Sequence, residues 1–413
     1  MNNNSRRNFL KKIVVGTLSA PLAKIHAFGN HNAKQNWLKK GKMYYRRLGR
    51  TEMFISEISL GSSPLPDWAL LMQAIERGVN YIDTSHTYSN GNSERQIGKL
   101  FKELGRDKLY MGTKFHLGRN WSEKTIIQSA EGSLKRLESD YIDILLIHGA
   151  EEKKNITDER VLSAFDKLKT AGKIRFQGLS CHSNHKNVVQ AAVDCGYYDM
   201  VQLGYNVFDI EDKQEKIETY DDYLGESGLR SLISYAAVKN IGIIAMKTLK
   251  IGGKRQNLEN YKTGAASIFQ AMLKWVLENK NIASACTEML NQTQLDEDLA
   301  VPGQALSENE KRTLFKYVAE NSDNFCHMCG QCQTQCPSGI ATTDIMRFLS
   351  YYEGYNKTNR AKEEYSRLNP KQTIKECKNC GQCESICPYN VAVRERIRYA
   401  HKVLAGASGN TDI

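Results

Sequence analysis

The sequence predicts an α/β fold, in which a closed (β/α)8 TIM barrel is followed by a smaller cysteine-rich α+β module. Two observations predict the barrel: about eight β-rich runs alternate with helical segments, and polar residues stand where several of those runs end. A duplicated cysteine pattern near the end of the chain predicts the second module. The 413 residues are enough for a barrel of about 250 residues and one further module.

The predicted elements follow one another from residue 43 onward. Runs 44–47 and 54–60 flank the turn residues Gly49, Arg50 and Thr51, which indicates a hairpin leading into the first core strand. Later strands are expected at 81–83, 109–114, 141–148, 173–180, 200–203, 242–246 and 282–286. The helices that precede them are expected at 69–77, 94–104, 123–137, 161–170, 186–195, 229–239 and 268–277. This alternation favours a closed parallel barrel over an open sheet.

Four polar residues stand at or just beyond the ends of predicted strands. Asp83, Lys114 and His148 each end a separate strand, and Tyr88 follows Asp83 on a polar loop. Because the carboxyl ends of barrel strands meet at one mouth, the four side chains should face one another. An ammonium beside a phenol favours the phenolate, so we expect Lys114 to lower the pKa of Tyr88. Taken singly, such residues are also explained as structural ion pairs or buried polar groups.

This set suits proton transfer to a carbonyl oxygen. Asp83 would hold Lys114 charged and oriented, and the Tyr88 phenol would transfer the proton. His148 would donate a hydrogen bond to a carbonyl oxygen as negative charge develops there. The sequence therefore predicts a catalytic set at the mouth of the barrel.

Eight cysteines form two copies of one pattern near the C-terminus, each cysteine displaced by 51 positions. The spacing resembles that of two-cluster bacterial-type ferredoxins, in which three close thiolates bind one cubane and the fourth, before Pro, reaches the other. The resemblance implies two [4Fe-4S] clusters, one bound by Cys326, Cys329, Cys332 and Cys387 and the other by Cys377, Cys380, Cys383 and Cys336. Zinc sites and a disulfide framework are the alternatives.

The formal net charge of +11 suggests a nucleic-acid partner at first sight. The first 27 residues carry five basic residues and no acid, so without them the charge falls to about +6. Two all-thiolate cubane clusters would each add about −2 and leave roughly +2. The remaining basic stretches are short and scattered, so we expect no nucleic-acid partner.

The N-terminal run from Ser5 to Lys11, with Arg6 and Arg7, precedes a mild apolar segment at 13–22. It resembles a twin-arginine export signal, expected to span residues 1–27 with cleavage after Ala27. The resemblance implies export of a folded, cofactor-loaded protein by the twin-arginine export machinery, to the periplasm. An uncleaved signal would leave the protein associated with the inner membrane. A basic amphipathic helix is the alternative interpretation.

The barrel segment resembles the aldo/keto reductases over residues 43–301, on three motifs. These are residues 81–88 with 93–98, Gly112 to Lys114, and Leu146 to His148. The resemblance implies that Tyr88 is the proton donor, that Lys114 and Asp83 tune it, and that His148 orients a carbonyl. It also implies a nicotinamide cofactor, NADP or NAD. Because free nucleotide is scarce outside the cytoplasm, that cofactor must be exported tightly bound or be absent.

The same resemblance places the nucleotide on residues at later strand ends. Ser180 and Gln202 would contact the carboxamide, Met246 stands where an aromatic ring often stacks, and the run 247–254 resembles the pyrophosphate loop, with Lys247, Leu249 and Gly252 as contacts. Two departures concern the 2′-phosphate, because Glu288 and Gln294 stand where many relatives have Lys and Arg. An acid there repels a phosphate, so the choice between NAD and NADP stays open.

We therefore expect an oxidoreductase that transfers hydride between a nicotinamide and a carbonyl or alcohol substrate, with clusters that exchange electrons with a redox partner protein. The alternative is an electron-transfer or binding protein whose barrel is a scaffold with an idle nucleotide pocket. The expected domains are 1–27, 43–303, a bridging helix at 304–323, and 324–392. The tyrosine-rich segment 342–369 would either dock a partner or pack onto the barrel.

Overall fold

The computed structural model describes residues 36–118, 120–209, 228–249, 258–261, 263–264, 266–321, 326–355 and 357–405. These residues all belong to one compact unit, Asn36–Ile413. The expected signal at 1–27 and the predicted nucleotide contact Gly252 lie outside the described residues. Within the described ranges, no helix has the length and apolar character needed to cross a membrane.

Eight parallel strands close into the predicted barrel. A three-stranded antiparallel sheet of β1 (Trp37–Lys40), β2 (Met43–Arg47) and β3 (Phe54–Ser56) precedes it. The barrel strands are β4 (Ile58–Gly61), β5 (Tyr81–Asp83), β6 (Tyr110–Phe115), β7 (Ile142–Ile147), β8 (Ile174–Cys181), β9 (Met200–Gly204), β10 (Gly242–Met246) and β11 (Ser284–Thr287). The strands neighbour one another in chain order, and β11 pairs with β4 to close the barrel.

Helices surround the barrel and form the C-terminal module. Those of the barrel segment are α1 (Trp68–Glu76), α2 (Asn92–Leu104), α3 (Glu123–Leu137), α4 (Lys153–Ile156), α5 (Glu159–Thr170), α6 (His185–Asp194), α7 (Leu229–Val238), α8 (Ile268–Glu278) and α9 (Gln292–Leu299). Beyond the barrel follow α10 (Glu308–Asn321), α11 (Gln331–Thr334), α12 (Thr342–Glu353), α13 (Thr358–Ser366), α14 (Gln382–Ser385) and α15 (Val393–Leu404). Side-chain caps fix several starts; Ser122 and Ser267, for example, each form a reciprocal capping box.

The N-terminal sheet closes the bottom of the barrel. Leu48, Met53 and Ile55 are buried in one cluster with barrel-interior residues such as Ile144. Leu48 approaches so closely that a Cβ at Gly242 would lie 2.6 Å from its side chain, so this position requires glycine. Since the bottom is sealed by apolar side chains, chemistry is confined to the opposite, carboxyl-end mouth.

One predicted strand is divided in two. The run 54–60 was expected to be continuous, but it breaks at Glu57 into β3, which belongs to the small sheet, and β4, which belongs to the barrel. The carboxylate of Glu57 is buried, receiving Nε of Arg46 at 2.7 Å and the backbone N–H of Gly303 at 2.8 Å. Arg46 also donates to the carbonyls of Leu277, Asn279 and Ile282, at 2.7, 3.1 and 2.8 Å. This network joins the small sheet to the turn that leads into β11.

The C-terminal module has its own hydrophobic core, built from residues such as Ile345, Leu349 and Ile397. The expected α+β character is not found, because its described residues, 326–355 and 357–405, contain helices and no β-strand. Most backbone hydrogen bonds of the two cysteine runs are local, as in Gln335 to Gln331 and Ile386 to Gln382. Helix α10 falls within the predicted bridge, and its Glu310 receives Nζ of Lys274 on α8 at 2.8 Å.

Replacing Arg46 with Met should lower the free energy of unfolding by about 3–5 kcal/mol, because Glu57 would keep its buried charge without a cationic partner. The matched control is Arg47→Met, since Arg47 pairs with the exposed Glu52 at 2.7 Å. Pairs of that kind contribute about 1 kcal/mol or less. Urea unfolding of both variants provides the measurement, and equal losses would contradict the role given to Arg46.

Candidate active site

Asp83 and Lys114 form a buried ion pair at the mouth of the barrel. Asp83 ends β5, and Lys114 is the last residue but one of the neighbouring strand β6. Nζ of Lys114 lies 2.6 and 2.7 Å from the two carboxylate oxygens of Asp83. The same ammonium donates to the carbonyl of Thr84 at 2.8 Å. Burial acts to lower the pKa of Lys114, but the Asp83 carboxylate together with Tyr88 and Cys286 outweighs burial and raises the pKa above its ordinary value. Lys114 is therefore charged.

Tyr88 lies on a short 3-10 helix, Tyr88–Gly91, that follows β5. The centre of its ring is 5.2 Å from Nζ of Lys114 and 5.8 Å from the ring of His148, which it meets edge-on. Lys114 acts in the expected direction, but the expected net lowering of the pKa of Tyr88 was wrong. Burial raises the pKa of Tyr88, and the opposing effect of Lys114 is smaller because Asp83 neutralises that ammonium. The phenol therefore keeps its proton at neutral pH, as a proton donor must.

His148 follows β7 and is one of four histidines that line the mouth. Its ring stacks on His116 at 4.1 Å and lies 5.9 Å from His182, while His86 meets His116 edge-on at 5.7 Å. Burial lowers the pKa of His148 well below its ordinary value, with the His116 and Lys114 side chains adding to the effect. Since Ser85 Oγ lies 3.1 Å from Nδ1, the other ring nitrogen is left to face the mouth. The structure thus brings all four predicted catalytic residues together.

The predicted nicotinamide contacts lie at the ends of the next three strands. Ser180 and Gln202 are buried on β8 and β9, paired with each other in register, and Met246 ends β10. Lys247 and Leu249 follow directly. The Oε1 atom of Gln202 is buried and has no hydrogen-bond partner among the described residues. An amide left this way fits the carboxamide of a nicotinamide, which can donate to it.

The C-terminal module covers part of this mouth. Lys357, which precedes α13, reaches both carboxylate oxygens of Glu288 at 2.6 and 2.5 Å and the carbonyl of Ser63 at 2.7 Å. Arg360 on α13 donates to Oγ of Ser63 at 2.5 Å. The segment 342–369 thus packs onto the barrel. Glu288, the acid that departs from the 2′-phosphate pattern, has its partner in the module.

Tyr351 on α12 is the phenol at this mouth whose pKa is lowered. It is 7% exposed, with Cζ of Arg360 and Nζ of Lys247 at 5.0 and 5.9 Å from its ring centre. Burial raises its pKa, but Lys247, Arg347 and Arg360 together outweigh burial and lower it to about 7. The sequence did not identify Tyr351, Arg360 or Lys357 as site residues. The one feature of the sequence that could have pointed to them is the number of tyrosines in the segment 342–369.

A cavity of about 420 Å³ lies between the barrel mouth and the module. Its barrel side includes His116, His148 and His182, and its module side includes Arg347, Arg360 and Arg367. The cavity is therefore polar on both sides and adjoins the predicted catalytic set. Such a space suits a small polar substrate.

The cysteines surround spaces within the module. One cavity is lined by Cys336, Cys377, Cys380 and Cys383, together with the cations Lys378 and Arg394, which would offset the negative charge of an all-thiolate cluster. In the other run, burial raises the pKa values of Cys329 and Cys332, and the nearby Cys387 thiol raises them further. Both groupings combine cysteines of the two runs. Among the described residues, no three His, Cys, Asp or Glu side chains are grouped so that they could hold a single metal ion.

Residues 67–285 match the model of the aldo/keto reductase family, and residues 322–391 match that of a 4Fe-4S dicluster domain. An uncharacterized oxidoreductase of Bacillus subtilis, YqkF, is 26% identical over 68% of this chain and 98% of its own length. The L-galactose dehydrogenase of Arabidopsis thaliana is 27% identical over 63% and 88%.

Solved structures agree in fold. A thermostable aldo-keto reductase in complex with the inhibitor epalrestat is 26% identical with a TM-score of 0.52, over 66% of this chain and 99% of that one. An aldo-keto reductase from Klebsiella pneumoniae in complex with NADPH has a TM-score of 0.51 at 21% identity, over 66% and 94%. The predicted barrel fold is confirmed.

Tyrosinate absorbance of the anaerobic protein should show a step with a midpoint of about 7 that is absent in Tyr351→Phe. The pKa of Tyr351 is about 7 in the folded protein and about 10 in the unfolded chain. Ionisation of Tyr351 therefore stabilises the fold fully above pH 10, and this stabilisation is lost as the pH falls through 7. The stability advantage of wild type over the variant should therefore grow with pH across that window. Tyr355→Phe is the control, because burial raises the pKa of Tyr355. A wild-type titration without a step near 7 would contradict the assignment.

Proposed function

The chain belongs to the aldo/keto reductase family and carries a 4Fe-4S dicluster domain, and on this premise we propose that it is a nicotinamide-dependent oxidoreductase acting on a small polar carbonyl or alcohol. The observation that carries the proposal is the buried Asp83–Lys114 pair beside a protonated Tyr88 and a neutral His148. In this arrangement Tyr88 delivers a proton to the carbonyl oxygen. His148 donates a hydrogen bond to the same oxygen, so negative charge is stabilised from two sides.

Ser180, Gln202, Met246, Lys247 and Leu249 would hold the nicotinamide nucleotide. Gln202 supports this role most directly, because its buried Oε1 lacks a partner among the described residues. When bound, the nicotinamide supplies the hydride that goes to the carbonyl carbon. The protein's task is to hold the carbonyl oxygen next to Tyr88 and to exclude water, which the module's position over the mouth favours.

We further propose that the cysteines bind two [4Fe-4S] clusters in the two cross-run sets predicted above. The cavity lined by Cys336, Cys377, Cys380 and Cys383 supports one set, and the proximity of Cys387 to Cys329 and Cys332 supports the other. The first cysteine run also contacts the barrel, since the backbone N–H of Asn184 donates to the carbonyl of Met328 at 3.1 Å. The clusters would exchange electrons with a redox partner protein.

A second candidate function is an electron carrier or scaffold with an idle nucleotide pocket. The observation that favours it is the contact of Lys357 with Glu288. Glu288 stands at the position predicted to face the 2′-phosphate of the nucleotide, so the ion pair occupies part of the predicted nucleotide site. A nucleotide would then bind either beside the module in its present position or only after the module has moved away from Glu288. The intact set of Asp83, Tyr88, Lys114 and His148 favours the enzyme over this alternative.

Export by the twin-arginine machinery remains a proposal that rests on Arg6, Arg7 and the apolar segment at 13–22. It places the protein in the periplasm, or at the inner membrane if the signal is retained. Both placements require that the nucleotide leave the cytoplasm already bound. The module that contacts Ser63 and Glu288 would help to retain it.

Replacing Tyr88 with Phe should lower kcat for carbonyl reduction by about 10²- to 10⁴-fold, because the proton donor is lost. The assay follows oxidation of NADH or NADPH with a panel of sugar aldehydes and small ketones, and cluster absorbance should stay unchanged. Tyr81→Phe is the matched control, since the Tyr81 hydroxyl is buried and unpartnered among the described residues. Undiminished turnover by Tyr88→Phe would remove Tyr88 from the mechanism.

A further inference from the structure

Arg360 brings a positive charge from the cluster-binding module to the reacting end of the barrel. Its Cζ lies 5.7 Å from the ring centre of Tyr88, and its side chain lines the same cavity as His148. Helix α13, which carries it, begins at Thr358, directly after the contact of Lys357 with Glu288. The position of the guanidinium is therefore fixed from the barrel side.

The charge of Arg360 is less neutralised than that of the neighbouring arginines. Among the described residues, the one carboxylate within ion-pair distance is that of Glu364, 3.9 Å from Nε. Arg347 and Arg367, by contrast, each contact a carboxylate at 2.5 Å, those of Asp344 and Glu363. The other negative group near Arg360 is the Tyr351 phenol, whose pKa is lowered to about 7 and whose ring centre lies 5.0 Å from Cζ. The module thus presents to the cavity a guanidinium whose nearest carboxylate, among the described residues, is 3.9 Å away.

The donor geometry leaves room for an anion. A guanidinium carries five N–H groups in a planar fork that matches a carboxylate in bidentate fashion. The hydrogen bond recorded for Arg360 within the described residues goes from Nη1 to Oγ of Ser63, a neutral acceptor. Lys114 cannot serve the same purpose, because its ammonium is held by both oxygens of Asp83.

We propose that Arg360 binds a carboxylate of the substrate, so that the enzyme acts on oxo acids or hydroxy acids whose carboxylate lies next to the reacting carbon. The proposal rests on the proposed function and names its substrate class. Arg360 is then a specificity-determining residue that comes from the iron–sulfur module. The module's role in catalysis would be to complete the substrate site.

The first test compares pyruvate with pyruvamide, which differ in the charged group, using anaerobic, nucleotide-saturated enzyme. Wild type should have a KM for pyruvate about 30- to 100-fold below that for pyruvamide, and Arg360→Gln should remove this difference with less effect on kcat. Arg360→Lys should restore part of the preference, because it keeps the charge without the fork. Lys362→Gln is the matched control, since Lys362 is an exposed cation on the same helix and does not line the cavity.

The second test measures binding of the non-reacting pair oxamate and oxamide by calorimetry. Wild type should bind oxamate more tightly than oxamide, and Arg360→Gln should weaken oxamate binding by about 30- to 100-fold. Equal oxamate binding by wild type and Arg360→Gln, or no oxamate binding to wild type, would overturn the proposal.

A third measurement distinguishes the two anions that Arg360 could bind, the carboxylate of the substrate and the phosphates of the nucleotide. If Arg360→Gln raises the Kd of NAD or NADP while the pyruvate preference persists, the guanidinium serves the nucleotide phosphates and the proposal fails. If the enzyme turns over neutral carbonyls but no oxo acids, the proposed substrate class is wrong and the proposed function still holds. Absence of both nucleotide binding and turnover would sink the proposed function, whereas oxamate binding that depends on Arg360 would still support the anion site.

Discussion

The buried ion pair between Asp83 and Lys114 is the interaction on which the rest of the site depends. Taking both charges out of water is costly unless their geometry is fixed, and here two neighbouring parallel strands and the Thr84 carbonyl fix it. The pair is nearly neutral as a unit, so Lys114 lowers the pKa of Tyr88 less than burial raises it. Tyr88 consequently holds a proton that it can give to a carbonyl oxygen.

The cysteine-rich module forms part of the mouth of the barrel. Lys357 and Arg360 fasten it to Glu288 and Ser63, and Tyr351 and Arg360 then stand beside Tyr88. A cluster fold positions these helices through its own core, around Ile345 and Leu349. Because the module forms one wall of the cavity beside the predicted catalytic set, a change in its fold would change the shape of that cavity.

The sequence predicts what local periodicity and strand ends determine. Asp83, Lys114 and His148 were recognisable because each ends a strand, and parallel strands must bring their ends together. The break at Glu57 was missed, because the run 54–60 is apolar enough to read as one strand and only the tertiary partner Arg46 explains the buried acid. Tyr351 and Arg360 were missed for the same reason, since their roles depend on how two separately predicted bodies pack. The pKa of Tyr88 was misjudged because burial cannot be read from sequence.

The central claim is that a nicotinamide works at this mouth within a cluster-bearing protein. The most direct test measures iron and sulfide in the anaerobically purified chain and uses mass spectrometry to identify what is released on denaturation. We expect about eight irons per chain and a nicotinamide nucleotide, either retained or bound when NAD or NADP is added. A full complement of iron with no nucleotide and no binding of added NAD or NADP would contradict the enzyme and favour the scaffold.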